Sequence, residues 1–423
     1  MKSASAAGRP GGRPKEPTLS FEAFLGRLFR KGAIEVTLPG GRRLVLGDGG
    51  EVTVAVRVND SLTLARILSA PSLGVGEAYM DGRLILERGS IRDLLELATR
   101  NGADAKTMKR PGPLRRTWAS LVAEHNARQD ARRNVSHHYD LSLDLYRAFL
   151  DTDLQYSCAF FEREGMSLEE AQAAKKRHII AKLDLAEGQR VLDIGCGWGG
   201  MALSLAEAGA NVDGVTLSSE QLATAKARAE ATGLAGRARF SLTDYRDVTG
   251  RYDRIVSVGM FEHVGRPNYQ AYFDAIAARL TDDGVALVHS IGRRGPPSTT
   301  DKFTAKYIFP GGYIPSLSEV LPAIERSGLW ITDMEILRLH YARTLKCWYE
   351  RFEAHRAEMA ALYDERFCRM WEFYLAGAEM GFRYGTHMNF QVQLTKRVDA
   401  LPLTRDYMAK AEQALAERER QAA

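Results

Sequence analysis

The 423-residue sequence lacks the features that would place it among membrane or secreted proteins. No apolar run approaches the ~18–20 residues that cross a bilayer. The N-terminal segment has no apolar core of the kind a secretory signal needs, and its Gly, Pro, Ser and Arg content predicts a disordered tail over residues 1–18. No CxxC pair occurs, so neither disulfides nor a structural metal site is expected. A cytoplasmic protein is therefore predicted.

Charge is unevenly distributed along the chain. Residues 1–150 contain 24 Lys and Arg against 16 Asp and Glu, whereas the remainder contains 34 against 37. A basic N-terminal third suits an anionic membrane surface or a nucleic acid. A solvated basic face with a basic tail is the alternative, and composition does not separate these readings.

The sequence pattern predicts two domains. Residues 19–100 are predicted as a small α+β domain, because helical spacing in FEAFLGRLFR is followed by strands around Pro39-Gly40-Gly41 and then by amphipathic helices. The polar stretch over residues 101–113 is predicted as a linker. Residues 114–423 are predicted to form the second domain, in which predicted strands and helices alternate from about Gln189 onward. This alternation predicts a doubly wound, mostly parallel α/β sheet whose ligand lies at the carboxyl ends of the strands. The region after Thr344 is predicted to be helical.

A glycine-rich turn follows the first strand of this sheet. In VLDIGCGWGG, Gly195, Gly197 and Gly199 allow a ligand to approach the backbone. This spacing is shared by dinucleotide sites and many methyltransferases, so alone it is weak. Asp193 lies inside the strand just before the glycines. Cys196, within the turn, is expected to pack and not to react.

The next strand ends extend the predicted nucleotide site. Asp244 and Tyr245 close the third strand, where they would face an adenine. Together with Asp193, they favour a class I S-adenosylmethionine (SAM) methyltransferase over an NAD enzyme. Both families usually end the second strand with an acid that binds the ribose hydroxyls. That position is Thr216 here, and Gln221 is the candidate for the ribose role.

Ordered motifs from about residue 134 to 398 resemble the cyclopropane-fatty-acid and mycolic-acid cyclopropane synthases. The motifs are HHYDLSLDLY, QYSCAFF, LDIGCGWGG, VTLSSEQ, DRIVSVGMFEHVG, HSIG, KYIFPGGYIPSLSE, HYARTLKCWYERF and YLAGAEMGFR. The small N-terminal domain is similar to one that bacterial fatty-acid synthases of this type carry and mycolate synthases lack. Many members have a cysteine in the late helix where this sequence has Ala378, so a catalytic thiol is excluded there.

The resemblance implies methylene transfer from SAM to the cis double bond of a phospholipid acyl chain, with bound bicarbonate removing a proton from the carbocation. By motif match the bicarbonate ligands would be Cys158, Glu262, His289, the backbone of Ile291, and Tyr341. The SAM contacts would be Tyr156, Ser157, the 193–199 loop, Thr216, Leu217, Gln221 and Tyr245. His263, although next to Glu262, is interpreted as structural. Such chemistry needs a dry cavity with aromatic faces. The candidates, for which burial in the core is the competing reading, are Tyr307, Phe309, Trp348, Phe352, Trp371, Phe373 and Tyr374.

The sequence is compatible with alternative functions. A related enzyme would leave a methylene or methyl branch in place of the ring. A nucleic-acid methyltransferase is disfavoured, because VGMFEHVG lacks the proline pair that amino-group methylases often carry there. A non-catalytic lipid- or SAM-binding scaffold is a third reading. The N-terminal domain is expected either to dock the protein peripherally on anionic lipid or to form a homodimer contact.

Overall fold

The computed structural model describes residues 17–104 and 141–422 and divides the chain into two compact units, Met1–Lys106 and Thr107–Ala423. The predicted tail lies outside the described residues except for its last two positions, because the first helix begins at Pro17. The last helix of the first unit continues to Asp104, past the predicted start of the linker. Residues 105–113 of that linker lie outside the described part of the chain.

The first unit is an α+β fold, as predicted. Its elements are α1 (Pro17–Leu28), β1 (Ala33–Thr37), β2 (Arg43–Gly47), β3 (Val52–Val58), α2 (Ser61–Ser69), α3 (Pro71–Met80), β4 (Leu84–Arg88) and α4 (Ile91–Asp104). The strand order is β2-β1-β3-β4. Strands β1 and β2 form the predicted antiparallel hairpin, whereas β1 and β3 pair in parallel. Helix α3 and strand β4 are elements that the sequence pattern did not predict.

The second unit contains the predicted doubly wound sheet. Its strands are β5 (Arg190–Ile194), β6 (Asn211–Thr216), β7 (Ala238–Leu242), β8 (Tyr252–Val258), β9 (Leu280–Arg293), β10 (Trp330–Ile336) and β11 (His387–Thr395). Its helices are α5 (Leu143–Phe149), α6 (Leu168–Lys182), α7 (Gly200–Glu207), α8 (Ser219–Ala231), α9 (Tyr269–Arg279), α10 (Lys302–Tyr307), α11 (Leu317–Ser327), α12 (His340–Ala354), α13 (Arg356–Leu362), α14 (Glu365–Arg383) and α15 (Asp406–Ala422).

The order of this sheet is β10-β11-β9-β8-β5-β6-β7. Strands β5 to β9 are parallel, and β11 runs antiparallel to both β9 and β10. Alternate residues of β5 enter different cores: Val191 packs on one face of the sheet and Leu192 on the other. Both faces are therefore covered, as is usual for parallel sheets.

Helix α6 covers one face of the sheet and carries buried charge. A capping box between Ser167 and Glu170 fixes its start. Its inward side places the ammonium groups of Lys175 and Lys182 beneath the sheet, where both side chains are almost fully buried. None of the helices within residues 17–104 and 141–422 is long and apolar enough to cross a membrane.

Candidate active site

A cavity opens at the carboxyl ends of the parallel strands, where the doubly wound pattern predicts a ligand. Every residue predicted to contact the cofactor lines it except Gly199. Further lining residues were not predicted as ligands, among them Gln155, Arg246, Met260 and His263.

The glycine turn brings the backbone to the cavity wall. Gly195 has φ +79°, and a Cβ atom there would lie 2.8 Å from Cγ of Met260. Gly199 has φ +86° and precedes α7; a Cβ atom there would lie 3.0 Å from Ala225 and from Phe240. Gly199 does not line the cavity. Its missing side chain instead allows α7 to pack closely on the sheet.

Asp193 presents an unpaired carboxyl oxygen at the cavity. Its side chain is 1% exposed, and Oδ2 has no hydrogen-bond partner within the described residues. Burial raises the pKa of this carboxyl to about 7, and the nearby ammonium of Lys175 opposes the shift. A buried carboxyl in this state suits a hydrogen-bond donor or a cationic group of a ligand.

Two pairs of residues in the cavity wall are held by hydrogen bonds between their side chains. The hydroxyl of Thr216 donates to Oε1 of Gln221 over 2.9 Å. The Gln221 amide nitrogen therefore faces away from this bond. The guanidinium of Arg246, which sequence reasoning missed, donates to both oxygens of Asp244 at 2.8 and 2.5 Å. Burial raises the pKa of Tyr245 to about 12, so its hydroxyl stays protonated.

A buried lysine, Lys175, donates hydrogen bonds to two residues of the cavity wall. The ammonium of Lys175 donates to Oγ of Ser157 over 3.0 Å and to Oε1 of Gln155. Desolvation lowers the pKa of Lys175 to about 8. The hydroxyl groups of Tyr156 and Tyr374 lie 2.9 Å apart. A single cation thus holds two residues of the cavity wall.

Glu262 lies in a short 3₁₀ turn, Phe261–His263, just beyond β8. Strand β9 continues past the end of β8, and the N–H of Ile291 donates to Oε1 of Glu262 over 2.6 Å. Oε2 of Glu262 has no partner within the described chain. Burial raises the pKa of this carboxyl to about 7, although the Ile291 bond opposes the shift.

His289 lies in β9, two residues before Ile291. Its Nδ1 is 3.1 Å from Nε2 of Gln391 on β11, and its buried Nε2 is without a partner in the described ranges. Burial holds the pKa of His289 well below its usual value, with nearby cations acting in the same direction. The ring is therefore uncharged near neutral pH.

Cys158 is fully buried, and its thiol contacts the carbonyl of Ala159 at 3.4 Å. Burial raises its pKa far above the usual range, so it remains a thiol. The N–H of Ala159 donates to the hydroxyl of Thr344 on α12 over 3.1 Å. Tyr341, on the same helix, is buried with its ring edge-on to Trp348. Helix α12 therefore carries Tyr341 and, through Thr344, also bonds the segment that contains Cys158.

The structure revises the interpretation of two other features. His263, taken as merely structural from sequence, lines the cavity, and burial lowers its pKa to about 4. The candidate aromatic residues are absent from the cavity lining. Trp348, Phe352 and Trp371 are core residues with at most 1% exposure. Three of the candidates contact residues of the lining: the ring of Trp348 is 5.2 Å from that of Tyr156, the ring of Phe309 is 5.9 Å from that of His263, and Tyr374 bonds Tyr156.

Comparisons with known proteins agree with this arrangement. The family model described as mycolic acid cyclopropane synthetase matches residues 126–392, and a domain of unknown function matches residues 20–109. The cyclopropane-fatty-acyl-phospholipid synthase of Escherichia coli strain K12 is 37% identical over 351 residues, covering 83% of this chain and 90% of that protein. A probable fatty acid methyltransferase of Pseudomonas putida is 37% identical over 354 residues, covering 82% and 87%.

A solved structure is similar to this chain in both fold and sequence. Mycolic acid cyclopropane synthase CmaA1, complexed with SAH and CTAB, superposes with a TM-score of 0.59 at 35% identity, covering 62% of this chain and 97% of that one. The predicted SAM-dependent chemistry and class I methyltransferase fold are thereby confirmed. Such relatives support methyl or cyclopropane transfer to fatty acyl chains. The chain belongs to the mycolic acid cyclopropane synthetase family.

Proposed function

We propose that this protein transfers a methylene group from SAM to the cis double bond of an unsaturated phospholipid acyl chain and closes a cyclopropane ring. The observation that supports this most strongly is Glu262, a buried carboxyl with an unpartnered oxygen. It does not itself line the cavity, but it lies in sequence between the cavity-lining Met260 and His263. The chemistry needs a proton acceptor in a site that excludes water. The phospholipid substrate follows the relative from E. coli.

The SAM site fits the residues present. The glycine turn leaves room for a ligand, and Asp193 offers an unpaired oxygen at the cavity wall. When bound, SAM supplies the electrophilic methyl group. The residues proposed to hold it are Tyr156, Ser157, Asp193, Gly195, Gly197, Thr216, Leu217, Gln221, Asp244 and Tyr245, with Gly199 keeping α7 in place.

The proposed bicarbonate ligands fit a small anion in part. Oε2 of Glu262 and Nε2 of His289 are both buried without a partner in the described residues. The N–H of Ile291 is already bonded to Glu262, so it would hold the ion only by releasing that carboxyl. When bound, bicarbonate would supply a base for the proton lost from the added methyl. Tyr341 and Cys158 complete the proposed set.

The protein groups at this site are weak nucleophiles. Burial keeps Cys158 as a thiol, and it brings the pKa of Glu262 to about 7, so much of that carboxyl is neutral. A thiolate or a fully ionised carboxylate beside a carbocation would be alkylated. The uncharged ring of His289 adds no positive charge that would repel the cation. Burial thus serves the reaction by protecting the protein from its own intermediate.

A second product is compatible with the same site. The relative from P. putida, named a probable fatty acid methyltransferase, is as similar as the E. coli synthase. The first carbocation is common to both outcomes. Loss of a proton from the added methyl closes the ring; a methylene branch forms when a 1,2-hydride shift first moves the cation to the methyl-bearing carbon and that methyl then loses a proton. Loss of a proton from a neighbouring chain carbon leaves a methyl-branched alkene. A methyl- or methylene-branched chain is therefore the second candidate.

The excess positive charge of the N-terminal third lies outside residues 17–104. Residues 17–104 contain 11 Lys and Arg and 11 Asp and Glu, so this part of the first unit is neutral. Residues 105–140 contain 8 against 3, and residues 1–16 contain 4 against 1. We therefore assign peripheral docking on anionic lipid to these two basic segments. A homodimer contact becomes the alternative role of the neutral α+β unit.

The deciding experiment incubates the full chain with methyl-¹³C SAM and vesicles of cis-unsaturated phosphatidylglycerol. High-field cyclopropane protons in the product NMR spectrum are the expected result. Vinylidene protons would instead establish the branched product. SAM binding without label transfer would overturn the enzymatic proposal in favour of a scaffold, and vesicles of saturated lipid provide the negative control.

A further inference from the structure

We propose that Gln391, oriented by Lys182, is a positioning residue that fixes His289 in the tautomer with its proton on Nε2. The inference rests on the proposed place of His289 at the reaction site. It concerns the donor and acceptor roles of that ring, which its position alone leaves open.

The three side chains form one buried chain of contacts. Gln391 lies directly opposite His289 in the antiparallel pair of β11 and β9, so both side chains point to the same face of the sheet. That face is covered by α6, which supplies Lys182. Nζ of Lys182 is 2.8 Å from Oε1 of Gln391, and Nε2 of Gln391 is 3.1 Å from Nδ1 of His289. Each of the three residues is 1% exposed.

The direction of each hydrogen bond follows from the ammonium group. An ammonium donates and never accepts, so the Gln391 atom that faces Lys182 must be the carbonyl oxygen. The other end of the amide is then an NH₂ group, which donates to Nδ1 of His289. A neutral imidazole that accepts at Nδ1 carries its hydrogen on Nε2. The charge on Lys182 thus determines the tautomer of a ring that it does not touch.

Lys182 is itself held in place. Its ammonium contacts a carboxylate oxygen of Glu335, and Nε2 of His178 lies 2.7 Å from that same oxygen. Although burial opposes it, bonding to His178 and Lys182 lowers the pKa of Glu335 to about 2. The ionised carboxylate keeps a cation beside Gln391 and so prevents the amide from flipping.

The consequence concerns the role of His289 in the reaction. Its Nε2–H is a buried donor with no acceptor among the described residues, so it is available to hold an oxygen of an anion. The same hydrogen prevents Nε2 from accepting a proton. His289 therefore orients the base and cannot act as one.

The tautomer is measurable without substrate. Full-length protein labelled with ¹⁵N in histidine is examined by long-range ¹H–¹⁵N correlation at pH 7.5, and H289N assigns the signal. The wild type is expected to show an unprotonated Nδ1 and a protonated Nε2. In Q391E, a carboxylate replaces the amide donor and pairs with Lys182, so the proton is expected to move to Nδ1. Q391M removes the donor and should give a mixture of tautomers.

Q393M is the matched control. Gln393 lies two residues along the same face of β11 and contacts the Lys182 carbonyl and Tyr407, not His289. It is equally buried, so Q393M carries a similar structural cost and should leave the His289 tautomer unchanged. A wild-type proton on Nδ1, or a tautomer that does not respond to Q391E, would overturn the inference.

Turnover provides a separate readout. Q391E and Q391M are expected to lower kcat by about 10- to 100-fold, the range typical of residues that orient a functional histidine, with the Kd for SAM unchanged. Q393M should retain kcat within about threefold of the wild type. If wild-type protein shows the expected tautomer but never modifies lipid, the proposed function fails and the tautomer assignment stands. Altered tautomers with unchanged kcat would refute the positioning role.

Discussion

The backbone N–H of Ile291 is bonded to Oε1 of Glu262 over 2.6 Å. Two groups predicted as separate ligands of one ion therefore contact each other directly. The bond arises because β9 continues beyond the end of β8, and the carboxylate takes the place of the missing neighbouring strand. It leaves Oε2 as the oxygen available to a ligand. One oxygen of Glu262 thus bonds the backbone, and the other is the oxygen proposed to take part in the reaction.

The first prediction separates the roles of these two oxygens. In Glu262→Gln the amide oxygen still accepts the Ile291 N–H, but the carboxyl group that can gain or lose a proton is gone. We expect kcat to fall by at least about 100-fold, within the usual range for a group that assists proton transfer. SAM affinity, measured by calorimetry, should stay within about threefold. Turnover close to that of the wild type would remove Glu262 from the chemistry.

The same substitution should change the pH dependence of stability. Burial raises the pKa of Glu262 from 4.5 to about 7, so between these values the folded protein keeps a proton that the unfolded chain has lost. Stability from this group is complete below the unfolded pKa and is lost as pH rises through the folded pKa. Glu262→Gln does not titrate, so above pH 7 it should be more stable than the wild type by up to about 3 kcal/mol.

Thermal unfolding across pH checks this stability prediction. The melting temperatures of wild type and Glu262→Gln should be similar near pH 4.5 and should diverge by pH 8, with the variant higher. A constant difference across that interval would mean that the carboxyl titrates normally. A more stable but inactive variant would identify Glu262 as a residue kept for function at a cost in stability.

The glycine turn gives a graded test of the SAM site. In Gly195→Ala the new methyl group would lie 2.8 Å from Cγ of the cavity-lining Met260, at a φ of +79°. Gly197→Ala, at φ +54°, would meet no atom within 4 Å. We expect at least a tenfold loss of SAM affinity for the first and a smaller loss for the second, because strain alone costs about 1 kcal/mol. Equal losses would show that the contact with Met260 is unimportant.

Local patterns made the nucleotide site predictable from sequence. Gly195 needs a positive φ and Asp193 lies inside an apolar strand just before the glycines, and both features can be recognised from neighbouring residues. The cavity edges were less predictable. Arg246 and Lys175 act through bonds to side chains whose geometry depends on the folded chain.

Strand β11, His387–Thr395, shows that the prediction of a wholly helical chain after Thr344 was wrong. Its alternation of Asn389, Gln391 and Gln393 with apolar residues is typical of a strand with one solvated face. In the structure both faces are covered, and each of these three amides is 1% exposed. The buried amide of Gln391 is hydrogen-bonded to Lys182 and His289, which lie far from it in the sequence. Its burial could therefore not be predicted from neighbouring residues. Helix α3 was also not predicted from sequence. It contains Gly74, which disfavours a helix by itself but is required because the backbone of Arg66 and Ile67 lies too close for a side chain.

The buried Lys175 provides the next prediction. Its ammonium holds Ser157 and Gln155 at the cavity wall, so Lys175→Met should release both and weaken SAM binding by about tenfold or more, the loss of one or two buried hydrogen bonds. Lys176→Met is the matched control on the same helix. Its partner Asp153 retains a second cation, Arg228, so SAM affinity should change little. Equal effects of both substitutions would indicate general destabilisation of α6.

The charge distribution predicts which arginines bind membranes. Full-length protein in which Arg115, Arg116, Arg132 and Arg133 are changed to Gln should bind anionic vesicles at least tenfold more weakly, since each cation near the surface contributes about 1 kcal/mol. The double change Arg42→Gln and Arg43→Gln is the control. Both arginines are exposed but are paired with Glu22 and Glu35 in the neutral unit.

Sedimentation with vesicles at low and high salt measures this binding. Wild-type binding should weaken as salt rises because the attraction is screened, and the control should behave like the wild type. A larger loss in the control would move the docking surface to the α+β unit. Binding that is insensitive to salt would exclude electrostatic docking, and the homodimer would then be the remaining role for the N-terminal third. Because the assay uses the full chain, activity on the same vesicles can be compared directly. The variant with four substituted arginines should regain turnover when its substrate is presented in detergent micelles.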